Sequence, residues 1–215
     1  MHKLQIIIGS TRETRAAERV YPWVLARAAA HPDFEPELVD LRDWPLPLFG
    51  EHFGTIGDLD DPTYSDPLVK RWNELVKEGD AYLAITPEYN HSIPGVLKNA
   101  FDNVFVSFAL RNKPMAAVGY SSGIAGGARA VEHLAHVAIE ADMAPLRSSV
   151  LIPFVNEAFD SEGAPLNPMT DVALAITLDD LAWWAGALKA ARGAGQLPPA
   201  GLRARAATAA AAASG

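Results

Sequence analysis

Residues 81–103 read AYLAITPEYNHSIPGVLKNAFDN, and this stretch decides the fold of the chain. Its first part, residues 81–86, is a short apolar run typical of a buried parallel strand. Its last part begins a helical pattern of apolar residues that continues over 96–105. Between them lies a polar loop stiffened by Pro87 and Pro94, whose rings fix the backbone φ angle. Because ligands of open α/β sheets bind at the carboxyl ends of strands, this loop is a candidate ligand site.

Strand-like and helix-like segments alternate along the rest of the chain. This alternation predicts an α/β fold, a doubly wound five-stranded parallel sheet with helices on both faces. An aspartate followed by proline at 66–67 is a strong helix start, because the carboxylate caps and proline suits the first helical position. The predicted strands lie at residues 4–8, 37–41, 81–86, 115–119 and 149–155, and the predicted helices at 16–30, 67–78, 96–105, 128–141 and 170–192.

The length of 215 residues suits one domain, which we expect to occupy residues 1–192. From Gly193 onward the chain is rich in Ala, Gly and Pro, so residues 193–215 are predicted to form a flexible tail. Within the tail, residues 204–213 could form a frayed helix, because isolated helices of this length are marginal in water. A Pro-, Gly- and Asp-rich loop at 42–66 is long enough to suggest a role in the pocket or in a subunit contact.

Composition excludes several classes of function. The chain has no cysteine, which rules out a disulfide framework, cysteine-ligated metals and a cysteine nucleophile. That absence fits a reducing cytoplasm, and we expect a cytoplasmic protein. The net charge of −8 argues against nucleic-acid binding, which needs a basic face. No apolar run approaches the ~18 residues of a membrane span, so no membrane partner is expected. No metal site is predicted.

The first candidate loop, residues 9–15, reads GSTRETR after the first predicted strand. It brings hydroxyls, backbone amides and two arginines to a helix N-terminus, where unpaired amides and the helix dipole favour a phosphate. It is neither a nucleotide P-loop, which needs Gly-Lys-Ser or Gly-Lys-Thr, nor a Gly-x-Gly-x-x-Gly loop. An ordinary capped turn with surface arginines is the alternative, and this segment alone leaves both interpretations open.

Two further loops follow the third and fourth predicted strands. The loop at 87–94 has a structural alternative, a helix entry capped by Ser92, but that alternative leaves Tyr89 and its two polar neighbours unexplained. The loop at 121–129 reads SSGIAGGAR. Its glycines either let the backbone approach a ligand or serve a tight turn with positive φ. If the strand order is 2-1-3-4-5, all three loops lie side by side, with a flavin site at the switch between strands one and three.

At these positions the chain resembles the NADPH-dependent FMN reductase family of flavodoxin-like proteins, which also includes azo-dye, quinone and chromate reductases. The family's marks are Gly-Ser-x-Arg after the first strand, Pro-Glu-Tyr-Asn-x-Ser-x-Pro-Gly-x-Leu-Lys-Asn-Ala-x-Asp after the third, and Ser-x-Gly-x-x-Gly-Gly after the fourth. All three occur here in that order. The run DLRDWPLPLF at 40–49 also resembles the family's segment after strand two, and the resemblance covers about residues 3–190.

The resemblance implies an FMN-dependent oxidoreductase. NADPH or NADH would give a hydride through FMN to a small acceptor, which could be a flavin, a quinone, an azo compound or a metal oxyanion. The flavin carries the chemistry, so no catalytic side chain is assigned. The implied cofactor-binding residues are Ser10, Thr11, Arg12 and Arg15 for the phosphate, Pro87, Glu88, Tyr89 and Asn90 along the ribityl chain and ring, and Ser121, Ser122, Gly123 and Gly126 on the ring's other side.

Two features qualify what the resemblance implies. Thr14 stands where many relatives have glycine, and a β-branched residue does not easily adopt positive φ, so the phosphate loop is expected to differ locally. Family members are usually homodimers or homotetramers, and the adjacent Trp183 and Trp184 lie in the last predicted helix. An exposed tryptophan there would indicate a subunit contact.

Two other functions remain open at the level of sequence. The first is a non-enzymatic FMN electron carrier of flavodoxin type, although the arginine pair of residues 12 and 15 argues against it. The second is a regulatory protein that keeps the fold but has lost the flavin. Oxidation of NAD(P)H without a partner protein would separate the enzyme from the carrier, and failure to retain flavin would favour the regulatory protein.

Overall fold

The structure is a computed structural model that describes residues 1–58 and 61–213. Positions 59–60 of the 42–66 loop and 214–215 of the tail lie outside the described residues. The elements are β1 His2–Ile8, α1 Ala17–Ala30, β2 Phe34–Asp40, α2 Pro67–Glu78, β3 Ala81–Pro87, α3 Gly95–Phe105, β4 Pro114–Tyr120, α4 Ala128–Glu140, β5 Ala144–Pro145, β6 Val150–Ile152, α5 Pro168–Ala194 and α6 Ala200–Ala213.

The sheet has the predicted flavodoxin-like order. Its strands run β2-β1-β3-β4-β5, and the paired strands are parallel. The fifth strand predicted at 149–155 is wrong in detail, because two short strands, β5 and β6, both pair with β4. Pro145 has no N–H to continue the ladder. The Ser148 hydroxyl instead bonds the Asp180 carboxylate of α5, which lies outside the sheet.

Helices cover both faces of the sheet, as the alternating pattern predicts. One hydrophobic cluster joins the strands to α1 and α5, through residues such as Val20 and Leu178. The other joins them to α2, α3 and α4, through Trp72, Leu97 and Leu134. Every residue of β3 is buried. The loops at the carboxyl edge therefore project from a rigid, two-sided core.

Helix starts follow local capping chemistry. Asp66 caps α2 as predicted, accepting a hydrogen bond of 2.7 Å from the Leu68 amide. The predicted start of the last helix at 170–171 is wrong, because α5 begins at Pro168 and is capped by the Asn167 side chain. Asp171 instead accepts hydrogen bonds from the side chains of Trp23 and Arg27 on α1. The Asn-Pro pair at 167–168 satisfies the same capping rule three residues earlier.

The C-terminal segment contains a largely exposed helix, α6. In α6 no described residue is buried. The linker before it contacts the domain, because Arg111 donates to the Leu197 carbonyl and Asn112 donates to the Gln196 side chain over 3.0 Å. The flexibility of residues 193–215 remains a prediction. None of the helices within residues 1–58 and 61–213 is long and apolar enough to span a membrane.

The turn between β4 and α4 depends on glycine. Gly126 and Gly127 adopt φ of 60° and 88°, in the left-handed region that favours glycine. A Cβ at Gly127 would lie 2.4 Å from the Tyr120 nitrogen, closer than any packing allows. The turn interpretation of this motif is therefore correct for its last two glycines. By contrast, a Cβ at Gly123 would meet nothing within 4 Å.

We expect Gly127→Ala to destabilise the fold by at least about 2 kcal/mol, because backbone strain and a steric clash add. Gly123→Ala is the matched control and should leave the free energy of unfolding nearly unchanged. Urea denaturation followed by circular dichroism measures both. Equal denaturation midpoints for the two variants would contradict this account of the turn.

Candidate functional site

The three loops and the segment after β6 line one open cavity of about 560 Å³ at the carboxyl edge of the sheet. This edge is where open α/β sheets bind ligands. Of the residues singled out from the sequence, the cavity is lined by Arg12, Arg15, Pro87, Glu88, Tyr89, Ser121, Ser122 and Gly123. The structure therefore brings together segments that are more than 100 residues apart in the chain.

Four of the singled-out residues do not line this cavity. Ser10 is buried, and its hydroxyl shares a 2.8 Å hydrogen bond with the Tyr89 hydroxyl. Thr11 lines a separate cavity of about 270 Å³ beside Trp44. Asn90 occupies a turn with φ of 50°. A Cβ at Gly126 would lie 3.0 Å from the nitrogen of residue 153, so this glycine packs against the chain after β6.

Arg15 holds the first loop in shape. Its side chain is only 2% exposed and forms a two-pronged ion pair with Asp40 at the end of β2, at 2.6 and 2.5 Å. It also donates to the Ser10 carbonyl over 2.7 Å and to the Glu18 carboxylate over 2.9 Å. Arg42 adds hydrogen bonds to Glu18 and to two carbonyls of the same loop. These bonds occupy the Arg15 guanidinium before any ligand binds.

Thr14 fits this loop without strain. No residue from 9 to 16 has positive φ, so the position where relatives carry glycine does not need glycine here. Thr14 is exposed and lines the cavity. The sequence predicts that this loop differs locally from loops with glycine at this position. In the structure the loop has no positive φ angle at Thr14.

Arg12 is the available cation of the first loop. Among the described residues no carboxylate lies within 4.0 Å of its guanidinium, which stands 5.4 Å from the centre of the Tyr89 ring. The adjoining helix α1 begins at Ala17, and its N-cap residue, Ala16, provides no side-chain cap. A helix N-terminus without a side-chain cap can bind an anion through its backbone amides. An uncompensated arginine beside uncapped amides suits a phosphate group.

The second loop turns back on itself over residues 89–92. Tyr89 and Ser92 exchange backbone hydrogen bonds of 2.9 and 3.1 Å, and Asn90 and His91 between them have φ of 50° and 69°. Two positive φ values define a type I′ turn, and asparagine and histidine are among the non-glycine residues that adopt positive φ most often. The alternative in which Ser92 caps α3 is wrong. That helix begins at Gly95, and the Ser92 hydroxyl instead bonds His133 over 2.9 Å.

Glu88 joins the second loop to the third. Its side chain is only 5% exposed and pairs with Arg129 near the start of α4. The same carboxylate accepts a 3.2 Å bond from the Arg129 amide, while the Glu88 amide donates to the Tyr120 carbonyl over 3.0 Å. Arg129 also bonds the His91 ring over 2.7 Å. Sequence reasoning gave Arg129 no role, although the residue lies in the third motif.

The third loop is anchored to the segment that follows β6. Ser121 donates its hydroxyl to the Gly123 carbonyl over 2.9 Å and accepts a 3.0 Å bond from the Val155 amide. Phe154, with φ of 47°, turns the chain so that Val155 and Asn156 line the cavity. Further lining residues that the sequence did not indicate are Thr14, Ala16, Tyr120, Ile124, Ala125 and Arg129.

Burial and pairing set the charge states of the site. Burial by itself raises the pKa of Asp40, but hydrogen bonds from Arg15 and the Arg42 amide outweigh it and bring that pKa below the ordinary 3.8. Burial raises the pKa of the Tyr120 phenol far above its usual value, so this side chain of the cavity stays neutral. Over the residues that the structure describes, no group of three or more His, Asp or Glu side chains could hold a metal ion.

The profile of one protein family matches residues 2–157, and its description is NADPH-dependent FMN reductase. The chain belongs to the NADPH-dependent FMN reductase family. The matched region contains all three loops of the cavity, together with the residues that anchor them. The flavodoxin-like order of the sheet agrees with this assignment.

Relatives of this family match most of the chain. An NAD(P)H-dependent FMN reductase of Pseudomonas aeruginosa is 34% identical over 166 residues, which cover 74% of this chain and 82% of that protein. One from Schizosaccharomyces pombe is 31% identical, over 70% and 74%. The fold resembles the flavoenzyme NAD(P)H:(acceptor) oxidoreductase FerB of Paracoccus denitrificans, with a TM-score of 0.68, 24% identity and coverage of 86% and 98%.

We expect Arg15→Ala to destabilise the protein by about 3 kcal/mol, because it leaves the Asp40 carboxylate half-buried without its partner. Arg12→Ala is the control and should cost less than about 1 kcal/mol, since it removes only an exposed contact with a ring. Thermal and urea unfolding measure both variants. Equal stability losses in the two variants would contradict the separation of roles within the loop.

The Arg15–Asp40 pair also predicts a pH dependence. Because the pKa of Asp40 is lowered in the folded state, its stabilisation is complete above the ordinary 3.8 and is lost as the pH falls through the folded-state pKa. The difference in unfolding free energy between wild type and Arg15→Ala should therefore shrink on acidification from about pH 6 to pH 3. A difference that stays constant over this range would show that the pair is not the cause.

Proposed function

We propose that this protein is an FMN-dependent oxidoreductase that takes electrons from NAD(P)H and delivers them to a small acceptor. One observation carries the proposal: the family match spans the three loops that together line the cavity of about 560 Å³ at the sheet's carboxyl edge. The same match supports the enzyme over an electron carrier or a flavin-less regulator. FMN, when bound, supplies the hydride and electron chemistry.

The residues present fit FMN, with one change from the roles expected from the sequence. Arg12 and the uncapped amides of α1 would hold the phosphate, because Arg15 is already occupied by Asp40. Ser10 would support the site indirectly, through its hydroxyl bond to Tyr89. Thr11, Asn90 and Gly126 would shape the loops around the cavity. The residues that would border the flavin are Pro87, Glu88, Tyr89, Ser121, Ser122 and Gly123.

The chain's own groups position and enclose the cofactor. The Glu88–Arg129 pair closes the gap between the second and third loops and leaves that wall without net charge. The Val155 bond to Ser121 fixes the opposite wall. Fixed walls hold the polar groups of both loops in place, which is how preorganised dipoles stabilise developing charge. No side chain of the cavity needs to transfer a proton in this scheme.

A small planar acceptor fits the open cavity best. The wall includes Ile124, whose side chain is 85% exposed and offers apolar contact to a ring. Relatives carry names that point the same way. A 2-hydroxy-1,4-benzoquinone reductase of a Burkholderia species is 28% identical over 85% of this chain and 95% of that protein. We infer an acceptor such as a quinone, a flavin or an azo compound.

We also infer a homo-oligomer in the cytoplasm. The cysteine-free sequence suits a reducing compartment. The side chains of Trp183 and Trp184 are 68% and 40% exposed, which is unusual for residues of this size on a monomer.

The deciding experiment is an anaerobic visible spectrum of the FMN-reconstituted protein before and after adding NADPH, and separately NADH. We expect the flavin bands to bleach with a pyridine nucleotide and to return when a quinone is added. Bound flavin that stays oxidised would favour an electron carrier. A protein that retains no flavin after reconstitution would overturn the cofactor assignment.

Arg12→Ala should weaken FMN binding by about 1.5–3 kcal/mol, the contribution of a hydrogen bond to a charged group, or roughly 10- to 150-fold in Kd. Arg19→Ala removes an exposed arginine from α1 outside the cavity and is the charge-matched control. Fluorescence titration with FMN measures both. If the two variants bind FMN equally well, Arg12 does not hold the phosphate.

A further inference from the structure

Tyr120 ends strand β4 in the wall of the cavity at the carboxyl edge of the sheet. Only 3% of the residue is exposed, and its ring packs in the hydrophobic cluster that joins the sheet to α1 and α5. Its hydroxyl oxygen is buried and has no hydrogen-bond partner among the described residues. Buried polar groups nearly always have a partner in folded proteins. An unpaired hydroxyl in a cavity wall is therefore a candidate contact for a ligand.

The neighbours of this hydroxyl are mainly hydrogen-bond donors. Burial is the main cause of the raised pKa of the phenol, and the groups near enough to change that pKa further are Tyr89, Arg15, the Ala17 amide and Arg12. The Tyr89 hydroxyl already shares a 2.8 Å bond with Ser10. Guanidinium groups and backbone amides can only donate. The Tyr120 proton therefore lacks an acceptor in this part of the described chain.

The Ala17 amide beside the phenol is a second donor without an acceptor. It is the first amide of α1, and the N-cap residue Ala16 supplies no side-chain oxygen. The amide lies close enough to oppose, to a small extent, the rise in the Tyr120 pKa that burial causes, yet no hydrogen bond of ordinary geometry joins the two groups. An N–H and an O–H thus lie close together, and one ligand oxygen or two oxygens of one group could accept from both.

An anion suits this place better than a neutral acceptor. Arg12 lines the same cavity, and no described carboxylate pairs with it. The N-terminal end of a helix also favours negative charge. Because burial keeps the Tyr120 phenol neutral, the phenol keeps the proton that it would donate. A phosphate group has three strong acceptor oxygens, enough for a guanidinium, an amide and a phenol together.

We propose that the Tyr120 hydroxyl donates a hydrogen bond to the phosphate of FMN, alongside Arg12 and the Ala17 amide. The inference rests on the FMN binding proposed above and adds a residue from outside the first loop. Tyr120 belongs to β4, which β3 separates from β1, so the phosphate joins the first loop to the middle of the sheet. Because the hydroxyl is enclosed beforehand, binding includes a movement of the first loop, where the side chain of Arg12 is exposed.

Tyr120→Phe removes the hydroxyl and keeps the ring. We expect FMN binding to weaken about 10-fold or more, the effect of losing a hydrogen bond to a charged group. Riboflavin, which has no phosphate, should bind to this variant as it binds to the wild type. Tyr21→Phe is the matched control, because Tyr21 lies on α1 and does not line the cavity. Fluorescence titration of the flavin-free protein with each flavin gives the dissociation constants.

The ratio of the riboflavin constant to the FMN constant decides the outcome. A ratio in Tyr120→Phe equal to that of the wild type would overturn the role of Tyr120, even if both flavins bound more weakly. A wild type that binds FMN tightly would in that case leave the proposed function intact. A wild type that binds neither flavin would overturn both the proposed function and this inference.

Urea unfolding of the flavin-free protein tests the same hydroxyl independently. An unpaired buried hydroxyl destabilises the folded state, so Tyr120→Phe should unfold at the same urea concentration as the wild type or at a higher one. Its affinity for FMN and its stability therefore change in different directions. A hydroxyl that the protein uses for its own structure predicts a lower urea midpoint for Tyr120→Phe, and that result would overturn the proposal.

Discussion

The position of β1 between β2 and β3 is the constraint on which the rest of the structure depends. The chain leaves β1 for one neighbour and later returns to build the other. Because such crossovers are right-handed, α1 covers one face of the sheet while α2 and α3 cover the other. The loops after β1 and β3 therefore diverge at the carboxyl edge of the sheet. The cavity is the space that this divergence leaves open, and eight of the twelve candidate residues line it.

Ion pairs then give each loop a fixed shape. Arg15 ties the first loop to Asp40 at the end of β2, and Glu88 ties the second loop to Arg129 of α4. Both pairs have a largely buried member, so their loss would leave a charge without compensation. Arg12 differs, since no described carboxylate pairs with it. The arginine that lacks a protein partner is the one left for an anionic ligand.

Segments around the site contain three of the seven described non-glycine residues with positive φ. Asn90, His91 and Phe154 have positive φ without being glycine, and all three lie in segments that border the cavity or anchor its walls. Such conformations cost about 1–3 kcal/mol each and persist only where surrounding bonds hold them. The Tyr89–Ser92 exchange and the bond from the Phe154 amide to the Gly123 carbonyl supply that support. Strain in these segments positions the cavity walls.

The sequence by itself determined the alternation of strands and helices, the buried third strand and the three motifs, because periodicity and motif spacing are local properties. It also indicated the family that the comparisons establish. It could not separate Arg12 from Arg15, because the difference lies in Asp40, a partner 25 residues beyond Arg15. The broken fifth strand, the placement of Asn156 and Arg129, and the exposure of Trp183 likewise depend on which distant residues pack together. The sequence determines the chemistry of each side chain. The tertiary structure decides which side chains are neutralised by a partner and which remain exposed, because both depend on packing between distant residues.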